Sequence, residues 1–500
     1  MGKKLPIFYN AMLLTGVNLL LRFVSTSFQV FLSGKIGAAG IGLLQLVLSV
    51  GALAMTAGMG GIRTATMYLC ADVVGKQQTE RMTWVLSGCV LYSVVLSTAV
   101  GLLLYSFAPQ VAGLWIGDSS TTGAVRLLAG FLPVNCLCGV MVGYFTGVNR
   151  IGTLAAVEVA EQLFSMLSTI LLLTFWADTT SRACLAVILG SGMGACFTLT
   201  VLLLLKSRER TTTAKRVSIR KKLWETAFPL AIADDVKAGI STTENLMVPK
   251  RLALYPGESA PLAAFGMVCG MVFPVLMFPA AILFGLAELL IPELARCNAA
   301  GSTERIRHLS ERSLLIALIY GALCGGILFL AADRLCDQLY HTPDAGKYLR
   351  LFAMLAPMLY CDAIVDATVK GLGQQKISVR YNILTSALDV AFLFLLLPKY
   401  GMHGYFISFL VTHLLNFTLS VRLLFKLVGN ILPFHKALFC IASALCGVLA
   451  GTLLKGGVVG CLGFTLTFLS MIMLLGVIKM RDVIWLKGLL CNKGFDKSRT

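Results

Sequence analysis

The sequence predicts an all-α integral membrane protein of about fourteen transmembrane helices, built as two parallel six-helix repeats with two extra helices at the C-terminus. Three observations carry that expectation. The 500 residues are 57% hydrophobic and only 13% charged, with a mean hydropathy of +0.83, more apolar surface than a water-soluble chain could bury. Apolar stretches of the roughly 20 residues needed to cross a hydrocarbon core recur almost end to end, and such continuous runs select helices over a barrel. The basic residues, finally, crowd alternate loops.

Gly, Pro and charged breaks between the apolar runs place helices near 7–32, 41–70, 82–108, 124–148, 153–176 and 183–206, then 223–250, 261–291, 310–332, 347–370, 377–397, 402–426, 434–454 and 457–479. Lys3 and Lys4 precede a first run that Asn10, Asn18 and Arg22 interrupt, with no small-residue cleavage pattern after it. It reads as a membrane helix, not a cleaved signal. With the N-terminus in the cytoplasm, 29 Lys and Arg residues fall in cytoplasmic segments, ten in external ones, and Arg22, Arg63 and Lys237 inside helices. That asymmetry predicts an even helix count and two cytoplasmic termini. The net charge of +18 is spread over short loops, which suits topology and anionic lipid headgroups and excludes a nucleic-acid partner. The longest polar stretch, Lys206 to Lys222, is too short for a catalytic or nucleotide-binding domain and reads as a linker. Cys89, Cys138, Cys196, Cys269 and Cys440 lie in apolar runs without metal-ligand spacing and read as small packing residues.

Sliding the chain on itself by 224 residues brings Arg126, Leu127, Ala129, Pro133 and Gly147 onto Arg350, Leu351, Ala353, Pro357 and Gly371. In the same register Thr79-Glu80-Arg81 meets Thr303-Glu304-Arg305, and Gly42 and Gly61 meet Gly266 and Gly285. Helices one to six and seven to twelve are therefore expected to be parallel repeats, forming N- and C-lobes around a central cavity as alternating access requires. The implied organisation is an N-lobe over 1–206, a basic cytoplasmic linker over 207–222, a C-lobe over 223–426, two added helices over 427–480 and a tail over 481–500.

Several stretches resemble one group of transporters: Gly34 to Leu43 as an external turn into helix two, Gly58 to Asp72 as a glycine-rich helix end, Pro279 to Glu293 with its two prolines, and Thr146 to Arg150 as a short turn. The group is the multidrug/oligosaccharidyl-lipid/polysaccharide exporter superfamily, and within it the polysaccharide-transporter branch of stage V sporulation protein B-like and lipid II flippase-like proteins. The resemblance implies a flippase of the bacterial cytoplasmic membrane whose first helix contributes cavity arginines. It also implies that Glu244 stands for an acidic residue late in helix seven, and that the two C-terminal helices separate this branch from drug exporters of twelve.

Charges inside a membrane helix cost about 2.5–3.5 kcal/mol on insertion scales, so such residues line a cavity or pair with one another. Arg22 lies about 22 Å into helix one at 1.5 Å per residue, and is read as gripping a pyrophosphate or pairing with a carboxylate. Arg63 is a second candidate, or a snorkelling residue. Lys237 is either a phosphate ligand or the i, i+3 partner of Asp234, and Glu244 an ion-coupling carboxylate or part of such a pair. Asn18, Ser25, Gln45, Thr242, Thr243 and Asn245 offer hydrogen bonds to sugars, or glue between helices. Asp362 and Asp366, at i, i+4, together with Asp234, are the ion-coupling candidates for Na⁺ or H⁺. Glu158, Glu161, Glu288 and Glu293 read as hydrogen-bonded interface residues, His413 as a satisfied histidine, and Pro249, Pro274 and Pro279 as sites of kinking.

The functional expectation is an alternating-access flippase of a lipid-linked, anionic saccharide such as a polysaccharide or peptidoglycan precursor, working as a monomer among membrane lipids. The alternative is a Na⁺- or H⁺-coupled multidrug exporter. Neither a cofactor, a resident metal nor a catalytic residue is expected. A membrane glycosyltransferase would need long external loops, and the longest here is about 15 residues near Pro109 to Gly123.

Overall fold

The computed structural model describes residues 5–76, 78–207, 220–429, 434–454 and 457–477; the expected linker at 207–222 lies almost wholly, and the tail at 481–500 wholly, outside them. The described residues form helices and short turns, with no strand among them. Among the described residues nine helices are long and apolar enough to span a membrane, and so are two bent pairs when each is taken as one span. Two of the nine are kinked doubles of 57 and 54 residues, and Arg220–Leu252 adds one more span whose four charges Asp234, Asp235, Lys237 and Glu244 keep it out of that count. Fourteen segments result, as expected. They are α1 (5–36), α2 (38–75), α3 (Met82–Ser106), α4 (Thr122–Gly147), α5 (Ile151–Phe175), α6 (Thr180–Ser207), α7 (Arg220–Leu252), α8 (Pro261–Met277 with Ala280–Ala299), α9 (Thr303–Tyr340), α10 (Asp344–Ala353 with Ala356–Gly371), α11 (375–400), α12 (402–428), α13 (Phe434–Leu453) and α14 (Gly457–Leu474).

Sequence and structure differ mainly at the turns. The external turns expected between α1 and α2 and between α11 and α12 shrink to single left-handed glycines, Gly37 (φ 68°) and Gly401 (φ 57°), a conformation that a Cβ disfavours by about 1–2 kcal/mol. The loop expected near Pro109 to Gly123 is instead wound through a π-turn over Val111–Ile116 and a 3₁₀ turn over Ser119–Thr121, started by Asp118, which accepts from the Ser120 N–H at 2.9 Å. Helix α8 bends by 63° beside Pro279 and α10 by 53° just before Pro357, as expected where proline removes a donor and crowds the preceding turn. Pro249, by contrast, sits in α7 without breaking it.

The chain forms two compact units, one of residues 1–285 with 379–413, the other of residues 286–378 with 414–500. Large apolar side chains such as Leu102, Phe175, Leu453 and Leu474 are exposed on helix surfaces, as lipid-facing positions require. Interior faces are rich in small residues, and Ser97 and Thr169 return their hydroxyls to carbonyls four residues back. The repeat is built into this packing. In the first unit a Cβ on Gly101 would come within 2.9 Å of the Ala129 carbonyl, and in the second unit one on Gly325 within 2.8 Å of that of Ala353. Gly147 likewise abuts Met67 O and the Cys70 side chain, and Gly371 abuts Ile291 O and the Leu294 side chain. Every one of these partners is displaced by 224 residues. Within the first unit the relation becomes reciprocal: Gly42 of α2 lies against Leu262 O of α8, and Gly266 of α8 against Ala38 O of α2. That crossing has the symmetry of a two-fold axis relating the repeats, and only hydrogen side chains let the two backbones approach so closely.

Candidate functional site

The polar cavity of the first unit opens where α2 breaks. Gly60 and Gly61 both have positive φ (47° and 68°), and the Tyr92 hydroxyl of α3 donates to Gly60 O at 3.2 Å. Just beyond the break, Arg63 and Thr64 join Thr56 from α2 and Asp234, Lys237 and Ser241 from α7 around a volume of about 410 Å³. Arg63, Asp234 and Lys237 are all exposed. Among the described residues the expected Asp234–Lys237 pair does not form within 4 Å, and neither Arg63 nor Lys237 has a carboxylate within that distance, the charge of Glu158 reaching Arg63 only from farther off. Such a wall has donors to spare for a planar or tetrahedral anion.

Arg22 is not part of that wall. It is partly buried on α1 with its guanidinium over the Phe284 ring of α8, 5.1 Å from the centroid, a cation–π contact. Among the described residues no carboxylate lies within 4 Å of it. The Asn18 side chain lies outside the described residues. Asn245 and Thr242 hold α7 to α2, the amide donating to Ser49 Oγ and the hydroxyl to Ser49 O, each at 3.0 Å. Of the two roles open to Asn245, binding and gluing helices, this geometry serves the second.

Glu244 meets a carboxylate that sequence reasoning missed. Its side chain lies beside that of Asp389 of α11, which is 5% exposed and accepts from Ser408 Oγ at 2.5 Å and Thr412 Oγ1 at 3.1 Å, both on α12. The signal was in the sequence: Asp389 is the lone charge in the apolar run 383–398. Cys269 and Tyr405 adjoin the pair, sulfur to oxygen 4.0 Å.

In the second unit, Asp362 and Asp366 do not act on one shared partner. Asp366 is taken up by Lys370 at 2.5 Å and by the Ser378 hydroxyl at 2.5 Å. Asp362 Oδ2 accepts from Asn416 Nδ2 of α12 at 3.4 Å, while Asp362 Oδ1 and Asn416 Oδ1 are buried with no donor among the described residues. Two acceptor oxygens without a donor suit a cation or a proton. Of the other carboxylates, Glu158 lies near enough to Arg63 to feel its charge, Glu161 accepts from Thr198 at 2.7 Å across α5 and α6, and Glu293 pairs with Arg305 at 2.7 Å and Arg296 at 3.5 Å. His413 stacks on Phe409 with centroids 3.7 Å apart and faces the Phe409 carbonyl through Nδ1 at 2.9 Å.

Residues 252–395 match the model of the MatE family. Stage V sporulation protein B of Bacillus subtilis (strain 168) is 21% identical over 408 residues, covering 79% of this chain and 78% of that protein. Among solved structures, the lipid II flippase MurJ in an inward closed conformation is similar with a TM-score of 0.68 at 12% identity, over 95% of this chain and 100% of that one. An inward-facing multidrug resistance MATE family transporter of the MOP superfamily gives 0.65 at 13% identity, over 83% of this chain and 98% of that one. The fold is thus the one that these two solved structures share, a flippase in one case and a multidrug resistance transporter in the other.

Proposed function

We propose, for a chain that carries a MatE domain in the transporter fold of the MOP superfamily, that its cargo is a lipid-linked anionic saccharide flipped across the bacterial cytoplasmic membrane. The observation that carries the reading is the cavity wall in which Arg63 and Lys237 stand without a bound carboxylate. Arg22, held over Phe284 but with no acid partner among the described residues, is the third cation. A pyrophosphate is the group such donors recognise, since guanidinium forks and ammonium charges favour its oxygens over a neutral sugar. Thr56, Thr64 and Ser241 add hydroxyl donors at the same wall. Asp234 in that wall repels anions bound to one side of it, which gives the pocket polarity and a place for a sugar hydroxyl or a cation. Resemblance supports the reading as well: the match to the lipid II flippase runs over 95% of this chain against 83% for the drug transporter, a difference about the size of α13 and α14.

In this reading the lobes at 1–206 and 223–426 rock about a central site, both termini are cytoplasmic, the protein acts as a monomer, and Na⁺ or H⁺ drives the cycle through Asp362 and Glu244. The second reading, a Na⁺- or H⁺-coupled exporter of drugs, is favoured by one observation, the buried neighbouring carboxyl groups of Glu244 and Asp389, a place where an antiporter would carry its coupling ion. Reconstituted vesicles separate the two. Flipping of a fluorescent lipid-pyrophosphoryl saccharide, measured by accessibility to an impermeant reductant, is expected in wild type and lost in Arg22→Ala and in Arg63→Ala/Lys237→Ala. Absence of flipping, with proton- or sodium-dependent dye efflux that requires Glu244 or Asp362, would establish the exporter instead.

A further inference from the structure

One cavity of the second unit is not polar. It encloses about 600 Å³ between α9, α10, α12 and α13, with Leu318, Phe329, Met358, Phe417, Phe425 and Ala444 among its walls and no charged residue in its lining. From Leu314 to Phe329 it follows α9 for fifteen residues, about 22 Å at 1.5 Å per residue. That is longer than one leaflet of a hydrocarbon core about 30 Å thick. A hydrocarbon chain filling it gains little from apolarity alone, because bilayer lipid offers the same surroundings. Selectivity must come from the ends.

The two ends differ. At one, Arg350 is over Phe329 and is neutralised by Asp333. At the other, Lys436 of α13 faces Glu311 of α9 at 3.6 Å, both partly buried. There α12 also carries Arg422 and Lys426, each one residue beyond a wall residue, Val421 and Phe425. Arg422 and Lys426 are exposed and, among the described residues, neither has a carboxylate within 4 Å. This end therefore carries two exposed cations on the helix turn that lines the apolar slot, each next in sequence to a wall residue, and basic residues at a membrane surface attract an anionic headgroup.

We propose that this cavity is a binding site for a resident anionic glycerophospholipid of the bilayer, its acyl chain between α9, α12 and α13 and its phosphate at Arg422 and Lys426. The site lies wholly in the second unit and does not depend on what the cavity at Arg63 and Lys237 carries.

The test uses the full-length protein in detergent micelles, titrated with phosphatidylglycerol or phosphatidylcholine of identical chains and read by native mass spectrometry. Wild type is expected to keep one phosphatidylglycerol per chain at activation that strips phosphatidylcholine, a preference on the order of tenfold or more for two basic residues. Arg422→Gln/Lys426→Gln is expected to erase that preference while weak retention of either lipid persists. Ala444→Phe, which fills the slot, is expected to lose the tight adduct; Ala437→Phe is the second filling variant, and an unchanged thermal unfolding midpoint shows that each variant is folded. Equal retention of the two lipids by wild type would overturn the proposal. So would a tight adduct that survives both filling variants, or one formed with a polyprenyl phosphate but not with phosphatidylglycerol.

Discussion

Arg63 and Lys237 stand on different helices and meet at one cavity, so their contributions to an anion should be separable. A charge-assisted hydrogen bond is worth about 1.5–3 kcal/mol, so Arg63→Ala and Lys237→Ala are each expected to slow flipping about 10- to 100-fold without moving the unfolding midpoint by more than a degree or two. Exposed and unpaired side chains of this kind add little to stability. The aspartates of α10 should part company in the opposite sense. Asp366→Asn removes a partner from Lys370 and Ser378 and is expected to lower stability by about 1–2 kcal/mol, read as a shift in denaturant midpoint. Asp362→Asn leaves two orphan oxygens with a possible donor and is expected to keep or raise stability while abolishing the dependence of transport on Na⁺ or pH. Identical behaviour of the two variants would refute the division of roles. Sequence alone paired these residues by their i, i+4 spacing; it could not show that Lys370, one turn further on, forms its ion pair with the second.

Among elements, the α2–α8 crossing is the contact least tolerant of change. Gly42 and Gly266 each touch the opposite backbone, so Gly42→Leu or Gly266→Leu must push two helices apart. Overpacking of that kind typically costs 1–3 kcal/mol or more. Both variants are expected to lower the thermal midpoint and the yield of monodisperse protein, whereas Gly16→Ala, which would meet nothing within 4 Å, should be neutral. The break of α2 at Gly60–Gly61 has a different signature. Alanine at either must adopt positive φ, and at Gly61 its Cβ would also approach the Ala227 carbonyl to 2.5 Å, so Gly61→Ala is expected to disturb transport more than Gly37→Ala, whose Cβ is unobstructed. The apolar runs and prolines made the helices and their bends legible in the sequence. The glycine-to-glycine register between α2 and α8 was visible only as coincident positions at offset 224, because a spacing says which residues correspond and not which ones touch.

For the whole molecule, the duplicated packing predicts that corresponding substitutions act alike. Gly101 and Gly325 each lie against a carbonyl of the following repeat-related helix, so Gly101→Val and Gly325→Val should destabilise by similar amounts, within about 1 kcal/mol of each other, in denaturant titrations. The two C-terminal helices are tied to α9, where Phe464 of α14 fills the space beside Gly326 and Gly447. A chain ending at residue 429 is expected to express poorly or aggregate, because it would uncover that face of α9. The charge asymmetry of the loops gives a further check: in a cysteine-free background, Ser207→Cys is expected to react with an impermeant maleimide only after cells are opened, and labelling of intact cells would reverse the assigned orientation.

By itself the sequence determined the solvent, the fourteen spans, the repeat and its offset, and which charges lie within helices, because hydropathy and periodicity are properties of chain segments read one at a time. Tertiary structure decided which of those charges keep company. It gave Asp366 a lysine and Asp362 an asparagine, left Asp234 and Lys237 without an ion pair on one cavity wall, put an aromatic ring beside Arg22, and brought Glu244 beside Asp389, 145 residues away. Pairing over such separations depends on how helices cross. At the α2–α8 crossing the approach is set by two glycines whose only message in the sequence was that they recur.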